Sequence, residues 1–121
     1  MPQRPLRLIM VEDHANTAEA LQKILRAVGY KVFVATDMAS AVSLASAIEF
    51  DLLLSDLALP DGNGWDLLKQ LRAERDIRAI ALSAYNSAAD RQRSAEAGFI
   101  EHLPKPLCIE KLCAAIDRAA A

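Results

Sequence analysis

The stretch LLLSDLALPDG, residues 52–62, decides how this chain is read. Three leucines and a serine run straight into Asp56, and turn-forming residues follow at once. A short continuous apolar run bounded by turn signals is the pattern of a strand covered on both faces. A carboxylate directly off the end of such a strand is either desolvated at a cost or held for chemistry. The choice depends on which other residues reach the same place.

Outward from that strand the pattern repeats. LRLIMV (6–11), KVFVAT (31–36), DLLLSD (51–56), AIALS (79–83) and FIEHL (99–103) read as five strands. Helical periodicity fills the intervals. Asn16 is a plausible N-cap for a first helix whose Ala20, Leu21, Ile24, Leu25 and Val28 share one face and which Gly29 ends. Ser40 to Ile48 reads as a second helix, and WDLLKQLRA (65–73) as a third with Leu67, Leu68 and Leu71 inward. AADRQRSAEAG (88–98) is a polar helix stopped by Gly98, and CIEKLCAAIDRAA (108–120) is a last helix that begins just after Pro106. Strands alternating with helices predict an α/β fold, a doubly wound five-stranded parallel sheet with five helices, as one domain over 1–121.

Composition narrows the function classes. Fourteen basic against sixteen acidic residues leave a net charge of −2, with no basic stripe for nucleic acid. No apolar run is long enough to span a bilayer, and the N-terminal MPQRPLRLIMVEDH lacks signal-peptide character, so a cytoplasmic location is expected. Cys108 and Cys113 stand five apart, on different faces of a helix, and are expected to be free thiols. The two histidines, His14 and His102, give no zinc-type ligand cluster.

In doubly wound sheets ligands gather beyond the carboxyl ends of the strands. Glu12 and Asp13 follow the first strand, Asp56 ends the third, Ser83 ends the fourth and Lys105 follows the fifth, so all five can converge. Carboxylates crowded together raise one another's pKa unless a cation joins them, and a hard divalent ion such as Mg²⁺ suits oxygen ligands. A metal, an ammonium and a hydroxyl around one carboxylate form a clamp for a phosphoryl group, with the carboxylate as nucleophile.

These ordered features, Glu12-Asp13, Asp56 within SDLALPDGNG, Ser83-Ala84 and Lys105-Pro106, resemble the receiver domains of bacterial two-component response regulators from about Leu6 to Ala119. The resemblance implies a flavodoxin-like sheet in strand order 2-1-3-4-5. It implies that Asp56 accepts a phosphoryl group from a kinase phosphohistidine, so that the domain is a phosphoacceptor and not an enzyme acting on other substrates. Asp13, Asp56 and the carbonyl of Ala58 would hold Mg²⁺, and Glu12 a metal-bound water. Lys105 would pair with the phosphoryl group, the Lys105–Pro106 bond would be cis, and Ser83 would turn inward after transfer. The face formed by the fourth helix, fifth strand and fifth helix would then change for partners, either on a monomer or through phosphorylation-dependent pairing. The phrases LIMVEDHANTAEAL, SDLALPDGNGWDLLKQLR and EAGFIEHLPKPL look most like receivers at the C-terminus of hybrid sensor histidine kinases. The chain reads either as a standalone regulator with a separate histidine kinase as partner or as a domain of a larger protein; the hybrid likeness implies the second, with a kinase in the same polypeptide and a following phosphotransfer domain as partners.

Some positions depart from the family pattern. His102 stands where the family has a Tyr or Phe that moves inward on activation; it is expected to act as the rotating switch, weakened when protonated, or else to be an exposed edge-strand residue without a role. Pro104 is expected on an edge strand, where a missing N–H is tolerated. Ala58 and Tyr85 flank the phosphoryl site; Ala58 has no donor for an attacking water, and Tyr85 either covers the acyl phosphate or packs on the surface. Trp65 is expected in packing, and His14 either near metal-bound water or in solvent at the helix start.

Three rivals remain. A haloacid-dehalogenase-type phosphatase needs an aspartate two residues after its nucleophile, where Ala58 stands. Flavin or dinucleotide binding needs a glycine-rich turn, where VEDHANT stands. A receiver-like interaction module that no longer uses phosphate stays open, although Asp56, Asp13 and Lys105 are all in place.

Overall fold

The structure, a computed structural model, describes residues 5–120. Its five-stranded sheet comprises β1 (Arg7–Val11), β2 (Lys31–Ala35), β3 (Leu52–Asp56), β6 (Ala79–Ser83) and β7 (Glu101–Pro104). A two-stranded hairpin, β4 (Ala58–Leu59) and β5 (Gly62–Asn63), follows β3. The helices are α1 (Ala15–Val28), α2 (Met38–Ala47), α3 (Gly64–Arg72), α4 (Ala88–Ala97) and α5 (Ile109–Ala120). The sheet order is β2-β1-β3-β6-β7, which is 2-1-3-4-5 when only its own strands are counted, and every pairing in it is parallel. This is the expected flavodoxin-like arrangement.

Alternation along the strands builds two cores. Leu8, Met10, Leu52, Leu54, Ile80 and Leu82 pack with Leu21 and Leu25 of α1 and Leu112 and Ile116 of α5. Ile9, Val11, Leu53, Ala79 and Ala81 face the other way, against Ala41, Leu67, Leu68 and Ala97 of α2, α3 and α4. The inner strands β3 and β6 are buried at every position, whereas the edge strands β2 and β7 keep partly open residues. Parallel strands covered on both faces read as unbroken apolar runs for this reason.

Several boundaries and faces differ from the sequence expectation. The first helix begins at Ala15, with His14 rather than Asn16 in the cap position and no side-chain cap bond. Its inward stripe is Ala18, Leu21 and Leu25; Ala20 faces solvent, as do Ile24 and Val28, which are 38% and 53% exposed. Both stripes satisfy helical spacing, and only the position of α1 against β1 and α5 selects between them. The second helix starts two residues early because Asp37 and Ser40 form a capping box. The fifth strand starts at Glu101 rather than Phe99 and runs through Pro104 on the sheet edge, where the absent N–H costs no ladder bond within the sheet. The last helix starts at Ile109.

The hairpin after Asp56 was not legible as strands, and it matters for the site. Asp61 at its turn accepts from the N–H groups of Met38 (2.8 Å) and Ala39 (3.0 Å), while Asp37 accepts from Ser40 (2.7 Å). Three orphan donors of α2 are thereby satisfied, and the chain leaving Asp56 is fastened to that helix. Gly64 completes the anchorage. A Cβ there would lie 2.5 Å from the carbonyl oxygen of Asp56, so α3 can start against the end of β3 only with glycine in place.

Candidate functional site

The carboxyl ends of β1, β3 and β6 lie side by side because their parallel registers align Val11 with Ser55 and Asp56 with Leu82. Glu12 and Asp13 follow β1, Asp56 closes β3 and Ser83 closes β6. Lys105 follows β7 and is tied back by its N–H to the carbonyl of Ser83 at 2.8 Å. The peptide bond from Lys105 to Pro106 is cis, as expected.

Lys105 is the hub. Its Nζ donates to Glu12 Oε1 at 2.8 Å and to Asp56 Oδ2 at 2.9 Å. Glu12 and Asp56 are 2% and 6% exposed, so two carboxylates are nearly removed from water. Burial alone would raise the Glu12 pKa, but the Lys105 ammonium and the His14 backbone N–H hold it below its ordinary value. Burial alone would lower that of Lys105, and bonds to Glu12 and Asp56 hold it above its ordinary value. Both groups are therefore charged at neutral pH. The other oxygen of Asp56, Oδ1, accepts from the Ala58 N–H at 3.2 Å, so the exposed Ala58 contributes an amide to the Asp56 carboxylate.

Asp13 is more open than Glu12 and Asp56. The His14 ring lies with Nδ1 3.3 Å from both Glu12 Oε2 and Asp13 Oδ1, on a side chain that faces solvent. Ligand atoms of Glu12, Asp13, His14 and Asp56 all lie within 4.8 Å of one another. Three carboxylates gather here around one ammonium that bonds Glu12 and Asp56, which leaves an excess of negative charge beside oxygen donors. That donor set fits a hard divalent cation such as Mg²⁺.

Ser83 is fully buried, and its Oγ accepts from the N–H of Tyr85 at 2.8 Å. The bond uses a lone pair and leaves the hydroxyl hydrogen to serve an incoming acceptor. Tyr85 itself is 56% exposed.

His102 lies outside the acid pocket. Its half-buried ring stands between α4 and the loop after β6, with Nδ1 2.8 Å from Ser94 Oγ and Nε2 3.0 Å from the Tyr85 carbonyl and 2.9 Å from Asn86 Oδ1. Trp65 is buried in packing, as expected, and donates from Nε1 to the same Ser94 Oγ at 2.9 Å, with Arg93 stacked over its ring. Ser94 and Asn86 carried no sequence signal, because a serine inside a polar helix and an asparagine in a loop are ordinary. Gly64 had one: a glycine shortly after a strand end marks a close backbone approach. Both cysteines are free.

Comparison with known proteins agrees with this geometry. The family model described as the response regulator receiver domain matches residues 8–117. The transcriptional regulatory protein CusR of Escherichia coli K12 is 33% identical over 92% of this chain and 49% of its own length. The probable transcriptional regulatory protein SilR of Salmonella typhimurium matches to the same extent, 33% over 92% and 49%. This chain thus spans about half the length of these curated relatives. Among solved structures, the non-phosphorylated HemR receiver domain of Leptospira biflexa is 34% identical, with a TM-score of 0.88 over 98% of this chain and 95% of that one.

Proposed function

This chain belongs to the response regulator receiver family, and from that premise we propose that Asp56 is the phosphoacceptor of a two-component signalling step. The observation that carries the reading is the Lys105 ammonium held by two buried carboxylates at the edge of the sheet, one of them Asp56. A carboxylate oxygen of Asp56 attacks phosphorus on a kinase phosphohistidine. The new O–P bond forms as the P–N bond breaks, and the electron pair returns to the donor's imidazole nitrogen, which takes up a proton. Lys105 exchanges one carboxylate contact for a phosphoryl oxygen, and Ser83 supplies a hydroxyl donor. Asp13, Asp56 and the Ala58 carbonyl would hold Mg²⁺, with Glu12 on a bound water; the ion would supply charge neutralisation at the phosphoryl oxygens. On this reading the domain catalyses only its own phosphorylation and dephosphorylation. The face of α4, β7 and α5 is what partners read, as a monomer or a phosphorylation-dependent dimer.

Among the described residues no helix is long and apolar enough to cross a membrane, in keeping with work in the cytoplasm beside a histidine kinase. The finer assignment to a hybrid kinase, with the donor in the same polypeptide and a phosphotransfer domain nearby, rests on the three sequence phrases quoted above. The named relatives are transcriptional regulators and favour a receiver joined to a separate output domain.

Intact-mass spectrometry with Mg²⁺ and acetyl phosphate tests the reading. One phosphoryl mass that requires Mg²⁺ and is lost in Asp56→Asn is expected. No mass gain, with beryllofluoride also failing to bind, would leave an interaction module that does not use phosphate.

A further inference from the structure

The hydrogen bonds around His102 assign its proton. The indole N–H of Trp65 can only donate, so Ser94 Oγ accepts there, and among the described residues His102 Nδ1 is the acceptor its own hydrogen has in reach. At the other nitrogen, the Tyr85 carbonyl can only accept, so Nε2 must carry the hydrogen. Asn86 agrees: its Nδ2 donates to the Ser83 carbonyl at 3.1 Å, which turns Oδ1 toward His102 as an acceptor. Both sides of the ring demand the same neutral Nε2–H form. Among the described residues, the hydrogen-bond partners of the Ser94 hydroxyl are Trp65 and His102, and Ser94 is 1% exposed. A proton added at Nδ1 would turn that nitrogen into a second donor aimed at Ser94 Oγ and displace the hydroxyl hydrogen from that acceptor.

The relay therefore runs from α3 through α4 and β7 into the loop that follows Ser83. We propose that His102 is a positioning residue for the phosphoryl site, whose neutral imidazole clamps the Ser83–Asn86 loop to Ser94 and Trp65, so that inward movement of Ser83 is transmitted to α4 and α3, and protonation opens the clamp. This goes beyond the rotating-switch expectation, since the ring is already bonded on both sides without a phosphoryl group. The transmission half rests on the reading of Asp56 above; the clamp itself does not.

The groups facing the ring are consistent with a neutral form. From α4 come Arg91, whose Nη1 donates to the His102 carbonyl at 3.3 Å, and Asp90. The loop presents the Tyr85 carbonyl and the amide of Asn86, and α3 presents Trp65, covered by Arg93. On β7 itself the neighbouring Glu101 is taken by Arg118 of α5. Burial and Arg91 disfavour the cation, and together they outweigh the Tyr85 bond and Asp90 to hold the His102 pKa below its ordinary value.

Imidazole ¹⁵N NMR of the unphosphorylated protein is the first test. The Nε2–H tautomer is expected for His102, with a titration midpoint below that of an unperturbed histidine and a Trp65 Nε1–H resonance that shifts along the same curve. An Nδ1–H tautomer, or a Trp65 resonance indifferent to that titration, would overturn the clamp. The second test adds Mg²⁺ and acetyl phosphate. The Trp65 Nε1–H shift is expected in wild type and in His102→Gln, which keeps a donor toward the loop, and its loss is expected in His102→Ala and Ser94→Ala. An equal shift in the alanine variants would overturn transmission through His102. The first test needs no phosphorylation and mass gain reads Asp56 alone, so failure of one reading is distinguishable from failure of the other.

Discussion

Replacing Lys105 by Met keeps the length of the side chain and removes the one ammonium shared by Glu12 and Asp56. At an effective dielectric constant of about 20, each contact just under 3 Å carries on the order of 6 kcal/mol of gross attraction, most of it offset by desolvation. Breaking a buried pair by removing one partner costs about 3–5 kcal/mol, because the charge left behind has no compensation. Glu12 sets the size of the effect, since it is 2% exposed and cannot turn to water. Without Lys105 its carboxyl keeps only the His14 bonds against the burial that raises its pKa, so it takes up a proton more readily as pH falls. Urea unfolding followed by Trp65 fluorescence should therefore show Lys105→Met about 3–5 kcal/mol less stable at pH ~7 and distinctly closer to wild type at pH ~5. Adding Mg²⁺ at pH ~7 should recover part of the loss by restoring a cation to the carboxylates. A loss under about 1 kcal/mol, or one that does not shrink on acidification, would refute the view that the ammonium neutralises a buried carboxylate pair.

Three further outcomes follow from particular contacts. Asp61→Ala removes the acceptor for two N–H groups of α2 and should cost about 1–2 kcal/mol by urea unfolding; a cost below about 0.5 kcal/mol would mean water replaces it freely. Gly64→Ala drives a methyl against the Asp56 carbonyl and should cost about 1–3 kcal/mol. It should also slow acetyl-phosphate labelling more than Gly29→Ala does, since Gly29 has open space around it and lies far from Asp56 in the chain. Burial and the bond to Asp117 push the Tyr30 phenol up to about 12. The native state keeps a proton that the unfolded state releases, so this contribution is full below pH ~10 and is lost as pH rises toward about 12. Near-ultraviolet phenolate absorbance should show the late titration, and Asp117→Asn should bring it earlier.

The class of fold and the members of the acid pocket were legible in the chain itself. Unbroken apolar runs such as LLLS and AIALS, short and bounded by turn residues, read as strands covered on both faces, and such strands call for helices on both sides of a parallel sheet. Once the strands are placed, the residues just beyond their carboxyl ends are neighbours, so Glu12, Asp13, Asp56, Ser83 and Lys105 could be gathered before any geometry was known. What stayed hidden depended on the relative placement of elements. Either stripe of α1 would have buried apolar side chains, and only its seat against β1 and α5 turned Ile24 and Val28 outward. Asp61 looked like a turn residue, and became a cap because the hairpin meets α2 in space.

His102 shows the same division most sharply. Its position before Lys105 marked it as unusual, but an imidazole's proton is decided by what faces each nitrogen. Those partners, Ser94, Tyr85 and Asn86, sit 8, 17 and 16 residues away in sequence. Periodicity and strand-end position are local properties and can be read along the chain, whereas hydrogen bonds between side chains from α3, α4, β7 and the loop after β6 exist only when those elements are packed. The sequence by itself determined which residues share the acid pocket; the tertiary structure alone decided that Lys105 holds two of its carboxylates, and that a histidine ties the neighbouring loop to two helices.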